Sequence, residues 1–360
     1  MFLKVYQKYI INHFLFMVLK VSSVFLSLII ILSIFEEISF FSDIDVNVYF
    51  PVLLVLMNSP SILYEIFPFI FLITSQFFFI KFLDSNEFIA FKSYGLSNIK
   101  ILSILSLTSL VSGIVIVTIF YNLSSMLKFK YIDLKNPYTN DNRYLASITE
   151  NGLWIKDEGD DNTYFINADK ISFNKIYNID ILVLDKNFNL HKTIFSEKAN
   201  ISNKRWLLDA VKITEESGNI IKMDNYTFSS NFDYNRINNL YSNLSSLTIL
   251  DLIKLRRDYK QIKYSMTDIE IHIKKIYSYP FYLTIMTILS SIIMMNVKHQ
   301  KPKIFYIVGG IIFSVLIYYL NFFFIALGKN EQIPVLLSVW LPMLLLTFIS
   351  FMGMARLNEK

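Results

Sequence analysis

Six stretches of about twenty mostly apolar residues punctuate the chain, at Phe14–Phe35, Ile62–Leu83, Ile99–Tyr121, Ile276–Val297, Ile304–Leu327 and Pro334–Ala355. A helix needs ~20 such residues to cross ~30 Å of hydrocarbon, so the pattern predicts six membrane-spanning helices. The first stretch is too long for the ~7–15-residue core of a signal peptide. It also runs into Phe35-Glu36-Glu37-Ile38 instead of a small-residue cleavage site, so a permanent helix is expected. Between the third and fourth stretches lies a more polar insert of about 150 residues whose pattern changes to period two, the repeat of a half-buried strand. Strand-like runs at Thr163–Phe173, Asp180–Leu184, Thr193–Ala199, Trp206–Thr214 and Ile220–Phe228 are separated by turn signals. These signals are Asn151-Gly152, Asp185-Lys186-Asn187 and Gly218-Asn219. Strands at this spacing predict a β-sandwich or jellyroll. Runs such as Ile181–Leu184 and Trp206–Leu208 are apolar at successive positions, which fits either a plain packed core or a sandwich opened around an acyl chain. A helical stretch over Leu247–Lys263 leads back to the membrane through Lys274-Lys275 and Pro280.

The predicted fold is therefore a polytopic α-helical membrane protein with three helices on either side of an inserted all-β, jellyroll-like domain. Residues 1–127 hold the first three spans, 128–246 the β domain, 247–275 a linker helix and 276–360 the last three spans. Basic residues in short loops set the expected orientation. Lys4 and Lys8 precede the first span, Lys92 lies between the second and third, and Lys298, Lys301 and Lys303 lie between the fourth and fifth. The segment 36–59 has acids but no Lys or Arg, and the loop after the fifth span offers only Lys329. Both termini are expected in the cytoplasm and the insert in the periplasm.

Composition narrows the chemistry. Hydrophobic residues make up 54% of the chain and charged residues 18%, against roughly 45–50% and about 25% in soluble domains. The net charge of +5 is too small to argue for nucleic acid. There is no cysteine, so disulfides, iron–sulfur clusters and thiolate metal sites are excluded. The four histidines, His13, His191, His272 and His299, are far apart. No G-x-x-x-x-G-K-[ST] run is present, so nucleotide binding through a P-loop is excluded. No catalytic residue, cofactor or metal is expected, and any ATP-driven work needs a partner chain.

The segment Asp84–Ser97 reads as a short helix parallel to the membrane. Asp84 or Ser85 can cap it, and Gly95 can end it in the left-handed conformation that glycine adopts cheaply. Phe88 and Phe91 share one face, with Glu87 beside them. Such a helix suits docking onto a soluble ATPase, or anchorage in lipid headgroups.

This loop, the three-plus-three arrangement around a β insert and the Lys274-Lys275 pair before Pro280 together resemble the LptF/LptG family of lipopolysaccharide export permeases. The run Asn151-Gly152-Leu153-Trp154-Ile155-Lys156-Asp157 is more similar to the LptG member than to LptF. The resemblance implies a half-transporter that extracts lipopolysaccharide from the inner membrane. Its implied partners are a sister permease in a heterodimer, a cytoplasmic dimer of a separate ABC ATPase and a periplasmic jellyroll bridge protein. It also implies that Glu87, Phe88, Phe91 and Gly95 belong to an ATPase-coupling helix over about residues 84–97. The first and fifth spans would form lateral gates. A mechanotransmission-type ABC permease, or a membrane scaffold with an external β domain, is the alternative reading.

The chain departs from the resembled family at the outer end of the first span. Glu36, Glu37 and Asp43 stand there without a cation, where relatives often carry basic residues facing phosphates. These two glutamates are read either as solvated at the helix end or, with Asn321 in the fifth span, as candidate gate-lining residues. Lys20 is expected to snorkel toward the cytoplasmic end of its helix. Asn321 either bonds across a helix interface or lines the gate. Glu65 is expected at the external interface, and Pro68 removes a backbone donor from the second span.

Overall fold

The computed structural model of the chain describes residues 4–42, 44, 46–47, 49–85, 87–135, 138, 153–158, 162–172, 174–185, 189–216, 218–234, 243–261, 266–295 and 304–358. They form two compact units, residues 1–131 with 267–360, and residues 132–266. The first unit is helical. Its helices are α1 (Val5–Phe40), α2 (Tyr49–Asp84), α3 (Glu87–Ser93), α4 (Asn98–Lys135), α6 (Thr267–Met295), α7 (Ile304–Lys329) and α8 (Val335–Asn358). All but α3 are long and apolar enough to cross a membrane. The helices outrun the apolar stretches at several ends because a helix continues until its backbone is capped, not until hydropathy falls.

α6 lies at the centre of this bundle and packs against α2, α4, α7 and α8. Small residues permit the close approaches, as is usual where lipid supplies no hydrophobic drive between helices. A Cβ added to Gly113 of α4 would stand 2.7 Å from the Pro280 backbone of α6. Hydroxyls bond across the same interfaces. Ser109 meets Thr287 at 2.9 Å, and Ser290 donates to the Leu72 carbonyl at 2.7 Å. Within α4 the segment Ile116–Tyr121 is a π-helix, an insertion of the kind that re-aims a side chain. It delivers Tyr121 to His272 of α6 at 3.0 Å. Of the 18-residue apolar heart of each span, 72% is buried in α2 and 61% in α6, but only 17% in α1 and in α7.

Among its described residues the second unit is mainly β, with the last residues of α4, α5 (Ile249–Gln261) and a short 3-10 turn besides. Six antiparallel strands pair in chain order: β1 (Leu153–Glu158), β2 (Thr163–Ser172), β3 (Lys175–Leu184), β4 (Leu190–Asn200), β5 (Arg205–Glu215) and β6 (Ile220–Ser229). The expected inserted β domain is present, but among the described residues it is one meandering sheet instead of two stacked ones. Burial explains how one sheet makes a core. It alternates along the strands, then slips phase once: Ile176 is followed by Ile179, Ser196 by Ala199 and Leu208 by Val211, three residues apart. The skipped positions Asn178, Glu197 and Ala210 lie in one row across the strands. Asn178 and Ala210 there have positive φ, 49° and 52°. The Ser196 hydroxyl lies 2.9 Å from the Lys198 carbonyl and 2.7 Å from that of Asp209, serving carbonyls beside the row. The sheet is thus creased along this row, and both halves turn their apolar faces onto one core containing Ile179, Val211, Trp206 and Leu208.

The two edges of the creased sheet also meet. Asp157 of β1 is buried and accepts from Ser230 Oγ at 2.7 Å, from the Asn231 amide at 2.9 Å and from Asn231 Nδ2 at 2.8 Å, just beyond β6. Trp206 donates its indole N–H to the Phe232 carbonyl at 2.7 Å and closes the same corner. The runs that looked apolar on both faces are not buried on both. Leu182 is 37% exposed and Leu207 54%, because the core covers only the concave side.

Candidate functional site

α3 follows the second span, so it emerges at the same end of the bundle as the N terminus. Glu87 opens it, and Gly95 ends it at φ 81°. The Leu96 amide donates to the Phe91 carbonyl and the Gly95 amide to that of Lys92, which is the paired closure of a left-handed helix cap. One of the two residues expected to cap its start bonds elsewhere. Ser85 closes α2 instead, its hydroxyl donating to the Lys81 carbonyl at 2.9 Å. Position 86 lies outside the described residues, as does the side chain of Phe88.

Phe91 is half-buried and packs against the spans. Its ring stacks on Phe82 of α2 (5.2 Å, 17°) and tilts against Tyr9 of α1 (6.2 Å). Phe82 stacks on Phe78, Phe78 meets His13 edge-on, and His13 stacks on Tyr9, each with ring centroids 5.2–5.9 Å apart. Five rings from α1, α2 and α3 therefore form a closed circuit. Such pairs contribute about 0.5–1.5 kcal/mol each beyond area burial. Across this circuit the Tyr9 hydroxyl donates to Glu87 Oε2 at 2.9 Å. A groove of about 760 Å³ opens beside the pair, lined among others by Lys4, Tyr6, Tyr94 and Lys100. The short helix is thus bound to α1 by a polar contact and to α2 by stacking. Its exposed rim carries Tyr94 and the cations Lys92 and Lys100.

The other candidate residues scatter. Glu36 is exposed, whereas Glu37, read as either solvated or gate-lining, is buried and accepts from the Tyr131 hydroxyl of α4 at 2.8 Å. Asn321 is half-buried and hydrogen-bonded to the Tyr282 side chain of α6, across a helix interface. Lys20 is exposed, with its ammonium 4.5 Å from the Phe16 ring one turn back toward the N terminus, the direction expected for snorkelling. Glu65 interacts electrostatically with Lys128 and Lys275, from α4 and α6. A smaller apolar cleft of about 290 Å³ separates α1, α2 and α7, with Lys20, Phe77 and Ile311 on its walls. Gln76 of α2, fully buried, donates to the Tyr306 carbonyl of α7 at 3.1 Å and ties these helices together. Among the described residues no group of three or more His, Cys, Asp or Glu side chains converges to hold a metal.

Tyr9, Tyr131 and Gln76 had no distinguishing signal in the sequence. The nearest hint is the spacing of four between Tyr9 and His13 and between Phe78 and Phe82, which puts each pair on one helix face. The helical unit thus offers a surface helix tied to α1 and α2, and two spans, α1 and α7, that are little buried within the chain.

A family model described as lipopolysaccharide export system permease LptF/LptG matches residues 8–356. That description covers both members, and of the run that resembles LptG, Asn151 and Gly152 lie outside the described residues. No curated protein matches the chain.

Proposed function

The chain belongs to the LptF/LptG family of lipopolysaccharide export permeases, and we propose that it is one half of a transporter driven by a separate ABC ATPase. As a family member it is a permease subunit of the inner membrane and not itself an enzyme. In the proposed reading both termini and α3 face the cytoplasm, and the β domain lies in the periplasm. Lys4, Lys8, Lys92 and Lys100 flank the spans on the assigned cytoplasmic side. α3 receives the ATPase through Glu87, while Phe91 and Gly95 hold its shape. A sister permease covers α1 and α7, and the β domain passes lipopolysaccharide to a jellyroll bridge protein.

The observation that carries this reading is the uneven burial of the spans. α1 and α7 leave most of their apolar hearts uncovered, whereas α2 and α6 are packed within the chain. These are the first and fifth spans, the pair expected to form lateral gates. Glu36, Glu37 and Asn321 belong to the proposed gate only as residues of α1 and α7. The placement of Glu37 and Asn321 against α4 and α6 supports roles in holding those helices. Full-length chain purified with its membrane partners should carry a soluble ATPase and a second, non-identical permease, and mass spectrometry should find lipopolysaccharide bound. Recovery of self-pairs alone, with no ATPase, would exclude the reading.

A further inference from the structure

The loop helix α3 is anchored to α1, and the anchoring atom is the one whose chemistry matters most for docking. Glu87 Oε2 accepts from Tyr9 at 2.9 Å, while its second oxygen, Oε1, has no hydrogen-bond partner among the described residues. Tyr9 is 42% exposed but is held by other rings. Its ring stacks on His13 at 14° and rests against Phe91, whose ring is fixed on Phe82. An unrestrained glutamate samples many rotamers, and freezing one long side chain on binding costs about 0.5–1.5 kcal/mol. Here one carboxylate oxygen already has a partner, which narrows the rotamers open to Glu87, and the residue lines the groove together with Lys4 and Tyr94.

We propose that Tyr9 is a positioning residue: by donating to Glu87 it pre-aims the remaining carboxylate oxygen at a basic side chain of the ATPase. The bond also ties α1 to α3, in addition to the stacking and chain continuity that tie α3 to α2. This rests on the reading above that α3 is the ATPase-docking element. Tyr9 does not touch the partner in this scheme, and it acts through Glu87 alone.

A double-mutant cycle separates positioning from packing. Full chain with its sister permease in nanodiscs would be titrated with the purified ABC ATPase that co-isolates with it. Four forms are compared: wild type, Tyr9→Phe, Glu87→Ala and the double variant. Tyr9→Phe keeps the ring and its stacking, so the helix circuit is preserved and only the hydroxyl is lost. It should weaken ATPase binding about 2- to 12-fold, the range spanned by freezing one long side chain. In the Glu87→Ala background the same substitution should have no further effect. An equal loss in both backgrounds would mean that Tyr9 acts by packing, and no loss in either would mean that the hydroxyl is idle; both overturn the proposal. If Glu87→Ala binds the ATPase as wild type does, the docking reading itself fails and the proposal falls with it.

Discussion

Tyr131, near the end of α4, donates a 2.8 Å hydrogen bond to the buried carboxylate of Glu37, near the end of α1. Nothing in the local pattern of either helix marks this pair, which is 94 residues apart. With Tyr9 and Glu87 at the other end, it holds both ends of the least buried span in the first half of the bundle. Tyr131→Phe removes one hydrogen bond to an acidic group, worth about 1.5–3 kcal/mol. A matching loss of thermal stability is expected in detergent, with Glu37→Gln milder because an amide oxygen still accepts. Equal effects of the two would argue against the bond as the source.

Gly310 and Gly309 adjoin in α7 but should respond differently to alanine. A Cβ at Gly310 would come within 1.9 Å of Gln76 Nε2, whereas nothing lies within 4 Å of one at Gly309. Gly310→Ala should expel the Gln76 amide from the Tyr306 carbonyl and loosen α7 from α2, at about 1–3 kcal/mol. Gly309→Ala should be neutral. Placing Gln76→Ala in the same chain should make Gly310→Ala tolerable, and thermal stability of the four variants checks it.

Asp157 joins the first strand of the sheet to the turn after the last. Replacing it with Ala leaves the Ser230 hydroxyl and two Asn231 donors without this acceptor. The expected cost is about 3 kcal/mol or more, since each bond to a charged acceptor is worth about 1.5–3 kcal/mol. Amide hydrogen exchange should accelerate first in β1 and β6. Uniform acceleration across the helices as well would refute a local role.

Asp180 supplies a pH test in the β domain. Burial, and then the nearby Asp169 carboxylate, raise its pKa above the ordinary value. The folded chain therefore keeps this proton to higher pH than the unfolded chain does. Its contribution to stability is present in acid and is lost as pH rises through the folded pKa. Asp180→Asn should stabilise the β domain at neutral pH, and the gain should fade below the ordinary carboxylate range. A gain that persisted unchanged in acid would assign the effect to something other than charge.

The sequence by itself determined the six spans, the β insert between the third and fourth and the glycine that ends α3. Each follows from local physics: uninterrupted apolar length, a period of two, or a residue suited to positive φ. The strands β2 and β4 to β6 are expected and observed at nearly the same positions, whereas β3 begins at Lys175, five residues before the expected run at Asp180. β1 went unassigned, because Leu153–Glu158 is short and alternates weakly. Only the tertiary structure decided which faces are covered. It packed Phe91 against the spans, buried Glu37 and bonded Glu87 to a tyrosine 78 residues away. It also creased a single sheet where two were expected, because a phase slip at Asn178, Glu197 and Ala210 matters only once the strands lie in register. Hydropathy says that a helix lies in lipid. Which of its side chains meet another helix depends on rotation and close packing, which residues distant along the chain settle together.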